Sequence, residues 1–185
     1  MAMPMARLLD REKVAYLVVD MQDTLLKKCH DWEQTTGRVV VFSKFCHILG
    51  IPLVMTEQYP KGLGRTNLEV REAAAVQAIP KTTFDCFGEP AFVRALEATG
   101  AKTLVIGGIE AHICVTQTAL RALDRGMAVH VLEDAVSSRA EWMNANALRR
   151  LRREGAVISN TESAMYEMMG DSSDPLFKRM LFLVK

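Results

Sequence analysis

Short apolar runs alternate along this chain with longer stretches whose apolar positions recur at the spacing of a helix. Residues 14–20 are apolar up to the final Asp20, and the run is short enough for a buried parallel strand. In residues 33–49 the apolar positions recur every three or four residues, as on the buried face of a helix, and Gly50 follows as a helix end. The pattern predicts a strand followed by a helix.

The same alternation continues to the carboxyl end of the chain. Further strands are predicted at residues 51–56, 79–83, 102–106, 127–132 and 156–159. Helices are predicted at residues 69–77, 89–99, 113–125 and 142–154, with a helical tail that breaks near residues 171–174. Residues 57–64 are rich in turn formers and predict a loop.

Alternating strands and helices favour parallel strands joined by right-handed crossovers, with helices on both faces of the sheet. The predicted fold is therefore α/β: a doubly wound, Rossmann-like, three-layer α/β/α domain with a mostly parallel sheet of about six strands. The chain of 185 residues has the length of one domain and contains no repeat or linker. A single domain over residues 1–185 is expected.

Chemically capable side chains follow several of the predicted strands. The candidates are Asp20 at the end of the first strand, Glu57 after the second, Lys81 in the third and Cys114 after the fourth. In a doubly wound sheet, ligands bind at the carboxyl ends of the strands, so these side chains are expected to converge. A thiol, a carboxylate and an ammonium group together predict nucleophilic chemistry, although a buried free cysteine is more often an inert packing residue.

Cys114 is the strongest candidate for a nucleophile because a predicted helix begins beside it. Unpaired N–H groups and the positive end of the helix dipole favour a thiolate, so a lowered pKa is expected for the Cys114 thiol. The backbone N–H groups around Glu110 and Cys114 can hold an oxyanion. Asp20 can accept the thiol proton and return it to a leaving group, and Lys81 can stabilise both charges.

Composition and charge limit which binding partners and which cellular compartment are expected. The formal charge of +1 gives no global attraction to nucleic acid or an anionic membrane, and no apolar run approaches the ~20 residues of a membrane span. The 4 cysteines do not have the spacing of a metal site. They favour a reducing intracellular compartment, and the cytoplasm is the expected one. Arg7 and Arg11 leave a mitochondrial leader open, but Asp10 and Glu12 oppose it, and residues 1–13 lack the apolar core of a secretory signal.

Four short segments together resemble one known family. They are Leu17-Val-Val-Asp-Met-Gln22, Pro80-Lys-Thr-Thr-Phe84, Gly107-Gly-Ile-Glu-Ala-His-Ile-Cys-Val115 and Asp134-Ala-Val-Ser-Ser-Arg139. Their order and spacing are similar to those of the isochorismatase-like hydrolases, which include nicotinamidase/pyrazinamidase, N-carbamoylsarcosine amidohydrolase and isochorismatase. The resemblance covers about residues 14–159, and residues 56–64 look most like the small, poorly characterised branch of isochorismatase-domain proteins.

The resemblance implies a catalytic triad of Asp20, Lys81 and Cys114. It also implies a cis peptide bond between Ile109 and Glu110, which would turn the Glu110 N–H toward the oxyanion. The candidates for lining the substrate pocket are Gln22, Glu57, Phe84, Phe87 and His112. The resemblance also implies a small-molecule substrate. Because similar proteins usually form dimers or larger assemblies, a homo-oligomer is expected as well.

The chain also departs from its relatives. Metal-binding nicotinamidases have an Asp-x-His cluster after the second strand, whereas this chain has Glu57-Gln58-Tyr59 there. No metal and no cofactor are therefore expected, and nicotinamide fits poorly as a substrate. The expected enzyme is a metal-independent cysteine hydrolase of a small amide-like or related carbonyl substrate, acting through a covalent thioester.

Two other functions stay open. A basic cluster, formed by Arg149, Arg150, Arg152 and Arg153, lies on a predicted helix and could contact RNA phosphates in an RNA-binding protein or a ribonuclease. The nearly neutral charge, the 6% aromatic content and the lack of an RNA-binding motif speak against this function. The other alternative is a catalytically idle oligomeric scaffold.

Overall fold

A computed structural model describes residues 8–184 and contains a six-stranded sheet flanked by helices. The strands are parallel, and their order in the sheet is β3-β2-β1-β4-β5-β6. The strands are β1 (Val14–Val19), β2 (Leu53–Gln58), β3 (Ile79–Lys81), β4 (Thr103–Ile109), β5 (Ala128–Ser137) and β6 (Val157–Ser159). The predicted α/β fold is confirmed, with a sheet that is parallel throughout.

Helices of very different length connect these strands. They are α1 (Asp23–Leu26), α2 (Trp32–Leu49), α3 (Pro60–Leu63), α4 (Leu68–Ala74), α5 (Pro90–Ala98), α6 (Thr116–Asp124), α7 (Glu141–Arg153), α8 (Thr161–Met169) and α9 (Phe177–Val184). A short 3-10 helix spans Cys86–Gly88 and a π-helical turn spans Ala111–Val115.

The two faces of the sheet carry separate hydrophobic layers. Along β1, Tyr16 and Val18 point into the layer that contains α2, α8 and α9, and Leu17 and Val19 point into the layer with α5, α6 and α7. The order of the strands reverses between β1 and β4. Ligands bind at such a reversal in doubly wound sheets, at the carboxyl ends of the strands.

A glycine allows β1 and β4 to approach closely beside this reversal. Gly108 has a φ of +117°, and a Cβ at this position would collide with the backbone of Val19. Glycine accommodates both the positive φ and the short separation between the strands. Consequently, β4 stays paired with β1 up to Gly108 itself, which is opposite Val19.

Strands β4 and β5 extend further than the sequence predicts. The predicted ends were residues 106 and 132, whereas the strands end at Ile109 and Ser137. Gly107 and Gly108 have the composition of a turn, but they pair with Val18 and Val19. The longer β4 leads directly into the segment that carries Cys114.

Two predicted segments have a different local structure. Residues 57–64, predicted as a loop, contain the end of β2 and the short helix α3. The predicted helix at residues 113–125 begins as a π-helical turn, and α6 starts only at Thr116. Cys114 therefore lies inside the turn that precedes α6.

The predictions about the whole chain remain predictions. They are the single domain over residues 1–185 and the intracellular location. Arg7, which bears on the mitochondrial leader, lies outside the described residues. Within residues 8–184, no helix combines the length and the apolar character needed to cross a membrane.

Candidate active site

Asp20 lies at the carboxyl end of β1, directly at the strand reversal. Its φ of 49° is in the left-handed region, which non-glycine residues rarely adopt and which Asp and Asn tolerate best. Its buried carboxylate accepts hydrogen bonds from Thr56 Oγ1 at 2.8 Å and from Lys81 Nζ at 2.7 Å. The backbone thus turns the carboxylate into the protein, where two donors hold it.

Lys81 forms a fully buried ion pair with Asp20. Its ammonium group also donates to Gln58 Oε1 at 2.6 Å and to the Thr83 carbonyl at 3.2 Å, so all three N–H bonds have acceptors. Burial acts to lower the pKa of Lys81, but the Asp20 carboxylate and the Cys86 and Cys114 thiols raise it, and the net shift is upward. Lys81 is therefore a stable cation at neutral pH.

Cys114 is 5% exposed and lies beside this ion pair. Its pKa is raised, first by burial and then by the Asp20 charge, while the Lys81 charge lowers it by less. The expectation of a lowered pKa is wrong, because burial and a neighbouring carboxylate outweigh the helix dipole. The resting nucleophile candidate is a neutral thiol with a carboxylate close at hand.

The sequence reasoning missed several side chains around the ion pair. Gln58 accepts from Lys81, and Cys86 is a second buried thiol whose pKa rises to about 11 because of burial. The Cys86 N–H donates to Thr118 Oγ1 at 3.0 Å, and its sulfur lies 3.9 Å from Thr56 Oγ1. Gln58 could have been found from strand alternation, because it is the residue beside Glu57 that faces the opposite side of β2.

The side chains of Glu57 and Gln22 are hydrogen-bonded to the neighbouring segment. Glu57 Oε1 accepts from the Thr66 N–H at 2.7 Å and from Thr66 Oγ1 at 2.8 Å. Gln22 donates to the Gln58 and Gly64 carbonyls at 2.9 and 2.7 Å and accepts from the Gln58 N–H at 2.7 Å. These bonds anchor residues 57–66 to one another and to Gln22, which follows β1.

Glu57 also faces a surface cleft of about 450 Å³ that does not include the triad residues. In the register between β2 and β3, Glu57 is opposite Pro80 and Gln58 is opposite Lys81. Because successive residues of a strand point to opposite faces, the cleft and the ion pair lie on opposite sides of this sheet edge. Glu57 is thus placed away from Cys114, contrary to its selection as a pocket residue.

The two phenylalanines selected as pocket residues have different surroundings. Phe84 is 54% exposed and follows Thr83, whose carbonyl contacts Lys81. Phe87 packs edge-on against Phe92 at 5.1 Å between ring centroids, and the Arg125 guanidinium lies 4.9 Å from the Phe87 ring. Phe84 is therefore available to a ligand, whereas much of Phe87 is already covered.

The turn before Cys114 begins with two contacts to one arginine. The peptide bond between Ile109 and Glu110 is cis. Arg139 Nε donates to Glu110 Oε2 at 2.9 Å, and Arg139 Nη2 lies 3.4 Å from His112 Nε2. His112 Nδ1 is 2.9 Å from Ser138 Oγ, so His112 contacts the end of β5 and is not directed at Cys114 as a base.

A sequence match over most of the chain identifies its family. Residues 14–163 match the family described as isochorismatase domain, which is most of the chain. The chain belongs to the isochorismatase domain family. The resemblance seen in the four sequence motifs is therefore confirmed, and the strand reversal of the fold carries the residues of those motifs.

Curated members of the isochorismatase domain family share much of this sequence. The chain is 39% identical over 138 residues to isochorismatase domain-containing protein 1 of Salmo salar, which covers 75% of the chain and 49% of that protein. It is 37% identical over 167 residues to isochorismatase domain-containing protein 2 of Bos taurus, covering 90% of the chain and 80% of that protein. The chain thus spans about half the length of the first of these relatives.

Solved isochorismatase-like structures share the whole fold. The MAR1 ribonuclease from Caenorhabditis elegans has a TM-score of 0.87 and 32% identity, over 96% of this chain and 92% of that chain. The YcaC gene product from Escherichia coli, an octameric hydrolase of unknown specificity, has a TM-score of 0.89 and 25% identity, over 95% and 88%.

Within residues 8–184, no three His, Cys, Asp or Glu side chains are grouped as a metal site would require. At the position of the family's Asp-x-His cluster, Glu57 is bonded to Thr66, and Gln58 to Lys81 and the Gln22 side chain.

The basic cluster lies on α7, which packs in the same hydrophobic layer as the turn that carries Cys114. All four of its arginines are exposed, and none forms an ion pair with an acidic side chain of residues 8–184. The intervening Leu151 is buried in the layer beneath the helix. The helix therefore presents a positive surface of four guanidinium groups.

Proposed function

We propose that this protein is a metal-independent cysteine hydrolase that acts on a small amide-like or related carbonyl substrate. The observation that carries the proposal is the buried Asp20 carboxylate, which is held by Thr56 and Lys81 and whose charge acts on the neighbouring Cys114 thiol and raises its pKa. A carboxylate beside a neutral thiol can act as its general base. Membership of the isochorismatase domain family supports hydrolase chemistry.

The first half of the reaction transfers the acyl group to sulfur. Asp20 takes the Cys114 proton as the sulfur attacks the substrate carbonyl, and negative charge moves onto the carbonyl oxygen. The backbone N–H groups of Glu110 and Cys114 are the proposed donors to that oxyanion. When the intermediate collapses, the bond from carbon to the leaving nitrogen breaks, Asp20 returns the proton to that nitrogen, and a thioester remains.

The second half of the reaction releases the acid. Asp20 takes a proton from water, and the resulting hydroxide attacks the thioester carbonyl. The carbon–sulfur bond then breaks, and the proton on Asp20 returns to the sulfur. Lys81 remains protonated throughout because its pKa is raised, so it stabilises the Asp20 carboxylate in each state in which that group is ionised.

The site is suited to a small substrate. The Asp20 and Lys81 side chains are fully buried, and Cys114 is nearly so. A reagent therefore reaches the sulfur only through a narrow opening or after a local displacement. Phe84, which is exposed beside the Lys81 contact, is the proposed apolar surface at this opening.

Site-resolved alkylation of the native protein near neutral pH tests the proposal. Cys114 should react with iodoacetamide much faster than Cys29, Cys46 and Cys86, and the Lys81→Ala variant should react more slowly at Cys114. Cys29 is the matched internal control, since it is 6% exposed and burial raises its pKa to about 12. Equal rates at Cys114 and Cys29, or no effect of Lys81→Ala, would make the Cys114 thiol a packing residue.

A second candidate function is RNA binding or RNA cleavage. The observation that favours it is the exposed arginine surface of α7, together with the MAR1 ribonuclease as a structural neighbour. RNA affinity should then fall steeply with added salt and disappear when Arg149, Arg150, Arg152 and Arg153 are replaced by Ala. Unchanged RNA affinity in that variant would contradict RNA binding through the arginines of α7.

We further propose that the protein forms a homo-oligomer, since the YcaC neighbour is octameric. Light scattering of the purified protein measures this directly, and a monomer would contradict the proposal. If the protein is an idle scaffold, Cys114→Ala should leave every ligand interaction and the assembly unchanged. Acylation of Cys114 by an activated ester would exclude that reading.

A further inference from the structure

Arg139 and Glu110 form an ion pair at the base of the turn that carries Cys114. Arg139 Nε is 2.9 Å from Glu110 Oε2. The Glu110 side chain is only 12% exposed, whereas that of Arg139 is 53% exposed. A carboxylate withdrawn from water depends on its partner, because losing the partner leaves a charge without compensation. The position of the Glu110 side chain is therefore determined by Arg139.

Arg139 also reaches the other side of Ala111. Its Nη2 lies 3.4 Å from His112 Nε2, a longer contact than the Glu110 bond. A guanidinium group can only donate, so His112 Nε2 is the acceptor and Nδ1 carries the hydrogen. That hydrogen is directed at Ser138 Oγ, 2.9 Å away. One arginine at the end of β5 thus contacts two residues of the turn.

The backbone of the same turn contains the donors proposed for the oxyanion. The Glu110 carbonyl accepts from the Ile113 N–H at 3.0 Å and from the Val115 N–H at 3.3 Å. Displacing residue 110 would therefore shift the whole turn, including the N–H groups of Glu110 and Cys114.

We propose that Arg139 is a positioning residue that holds the oxyanion-binding N–H groups through the side chains of Glu110 and His112. It does not touch the substrate in this role. The inference rests on the proposed hydrolase function. A displacement of about 1 Å in catalytic geometry can cost about a hundredfold in rate, so loss of Arg139 should slow acyl transfer by about ten- to a hundredfold.

Two reagents separate oxyanion binding from simple thiol reactivity. With p-nitrophenyl acetate, the Cys114 sulfur attacks the acetyl carbonyl, an oxyanion develops, p-nitrophenolate leaves and a thioester forms. With iodoacetamide, the sulfur displaces iodide from carbon, and no charge develops on the carbonyl oxygen. The ratio of the two rates at Cys114 therefore reports on the oxyanion donors.

The experiment compares the wild type with Arg139→Ala, Arg139→Lys and Arg11→Ala. Arg11 is the matched control because it forms an ion pair of the same 2.9 Å length with Asp174, a partly buried carboxylate near α9. The background from other nucleophiles is subtracted with Cys114→Ala. Arg139→Ala should lower the acetylation rate about ten- to a hundredfold and the iodoacetamide rate less than twofold, with partial recovery in Arg139→Lys.

The failures of the inference and of the proposed function are distinguishable. If wild-type Cys114 is not acetylated, the hydrolase function fails, and the inference fails with it. If the wild type is acetylated and Arg139→Ala leaves the ratio of rates unchanged, or Arg11→Ala changes it equally, only the inference is overturned. Should Arg139→Ala not fold, Glu110→Gln is the replacement, since it removes the charge, keeps an acceptor oxygen and is expected to lower the ratio.

Discussion

Cys46 and Cys114 are both buried, but they lie in two regions of opposite character. Cys46 is in the layer formed by α2, among aromatic side chains such as Phe42 and Phe45. Cys114 is at the strand reversal, beside a buried carboxylate and a buried ammonium group. Burial raises the pKa of both thiols. Burial alone therefore cannot distinguish a packing cysteine from a candidate nucleophile.

The difference lies in what can remove the proton. No carboxylate contributes to the raised pKa of Cys46, whereas the Asp20 charge contributes to that of Cys114, and Asp20 has the Lys81 cation to stabilise its charge. In the α2 region the buried thiol is surrounded by apolar side chains, and at the strand reversal it is beside a buried carboxylate, which is the base in the proposed function. Matched substitutions, one at the strand reversal and one in the α2 region, should separate these roles.

The largest expected effect is on chemistry. Cys114→Ala should abolish acetylation at this site and lower any hydrolase rate by at least about a thousandfold, as removal of a catalytic nucleophile does. Cys46→Ala should leave the rate unchanged and lower the free energy of unfolding by about 1 kcal/mol, because only a small cavity forms. Steady-state kinetics and urea unfolding of both variants check this. Equal loss of activity in Cys114→Ala and Cys46→Ala would show that the two thiols do not differ in role.

The next effect concerns stability. Lys81→Ala should lower the free energy of unfolding by about 3–5 kcal/mol, because the Asp20 carboxylate stays buried without its cation. Phe42→Ala should cost about as much, for the different reason that it leaves a cavity.

A double variant distinguishes these two causes. Asp20→Asn combined with Lys81→Met removes both charges, so urea unfolding should show that much of the stability returns while Cys114 acetylation stays lost. If the double variant is as unstable as Lys81→Ala, the cost does not come from the unpaired charge.

A smaller loss is expected when one hydrogen bond to Asp20 is removed. Thr56→Val should lower the free energy of unfolding by about 1–3 kcal/mol, because a buried carboxylate oxygen loses its donor. Ser43→Ala is the control in the α2 region, where Ser43 Oγ donates to the Val39 carbonyl at 2.7 Å. That carbonyl keeps a helical partner, so the change should be below about 1 kcal/mol. Thermal unfolding of the pair is the measurement, and equal losses would contradict the assignment.

The smallest effect is a shift in pH dependence. Burial and the Asp20 charge raise the pKa of Cys114, so Asp20→Asn should lower that pKa. The midpoint of the rate of iodoacetamide alkylation against pH should therefore move to lower pH. Over the same range Cys46 should show no shift. A midpoint that stays or rises in Asp20→Asn would show that Asp20 does not act on the thiol.

The fold and the principal candidates could be predicted because they depend on local patterns. The continuous apolar runs predict the strands β1 and β4, and the helical spacing of apolar positions predicts α2, although β4 extends past its predicted end. Asp20, Lys81 and Cys114 could be selected because parallel strands place their carboxyl ends on one edge.

The remaining features depend on packing that a single sequence does not reveal. The pairing of Gly107 and Gly108 with β1 requires the neighbouring strand, and the raised pKa of Cys114 requires knowledge of its burial. Gln58 and Glu57 are adjacent in sequence but face opposite sides, and their roles depend on the register with β3. Arg139 contacts Glu110 across 29 positions of the chain, which no local pattern predicts.

The left-handed backbone at Asp20 has an evolutionary consequence. At a φ of 49°, Asn and Gly fit the main chain about as well as Asp, whereas Glu and other branched or longer residues fit poorly. One nucleotide change converts an Asp codon into an Asn codon. A gene of this kind can thus exchange this carboxylate for an amide in a single step without straining the main chain, although the buried Lys81 ammonium then loses its charged partner.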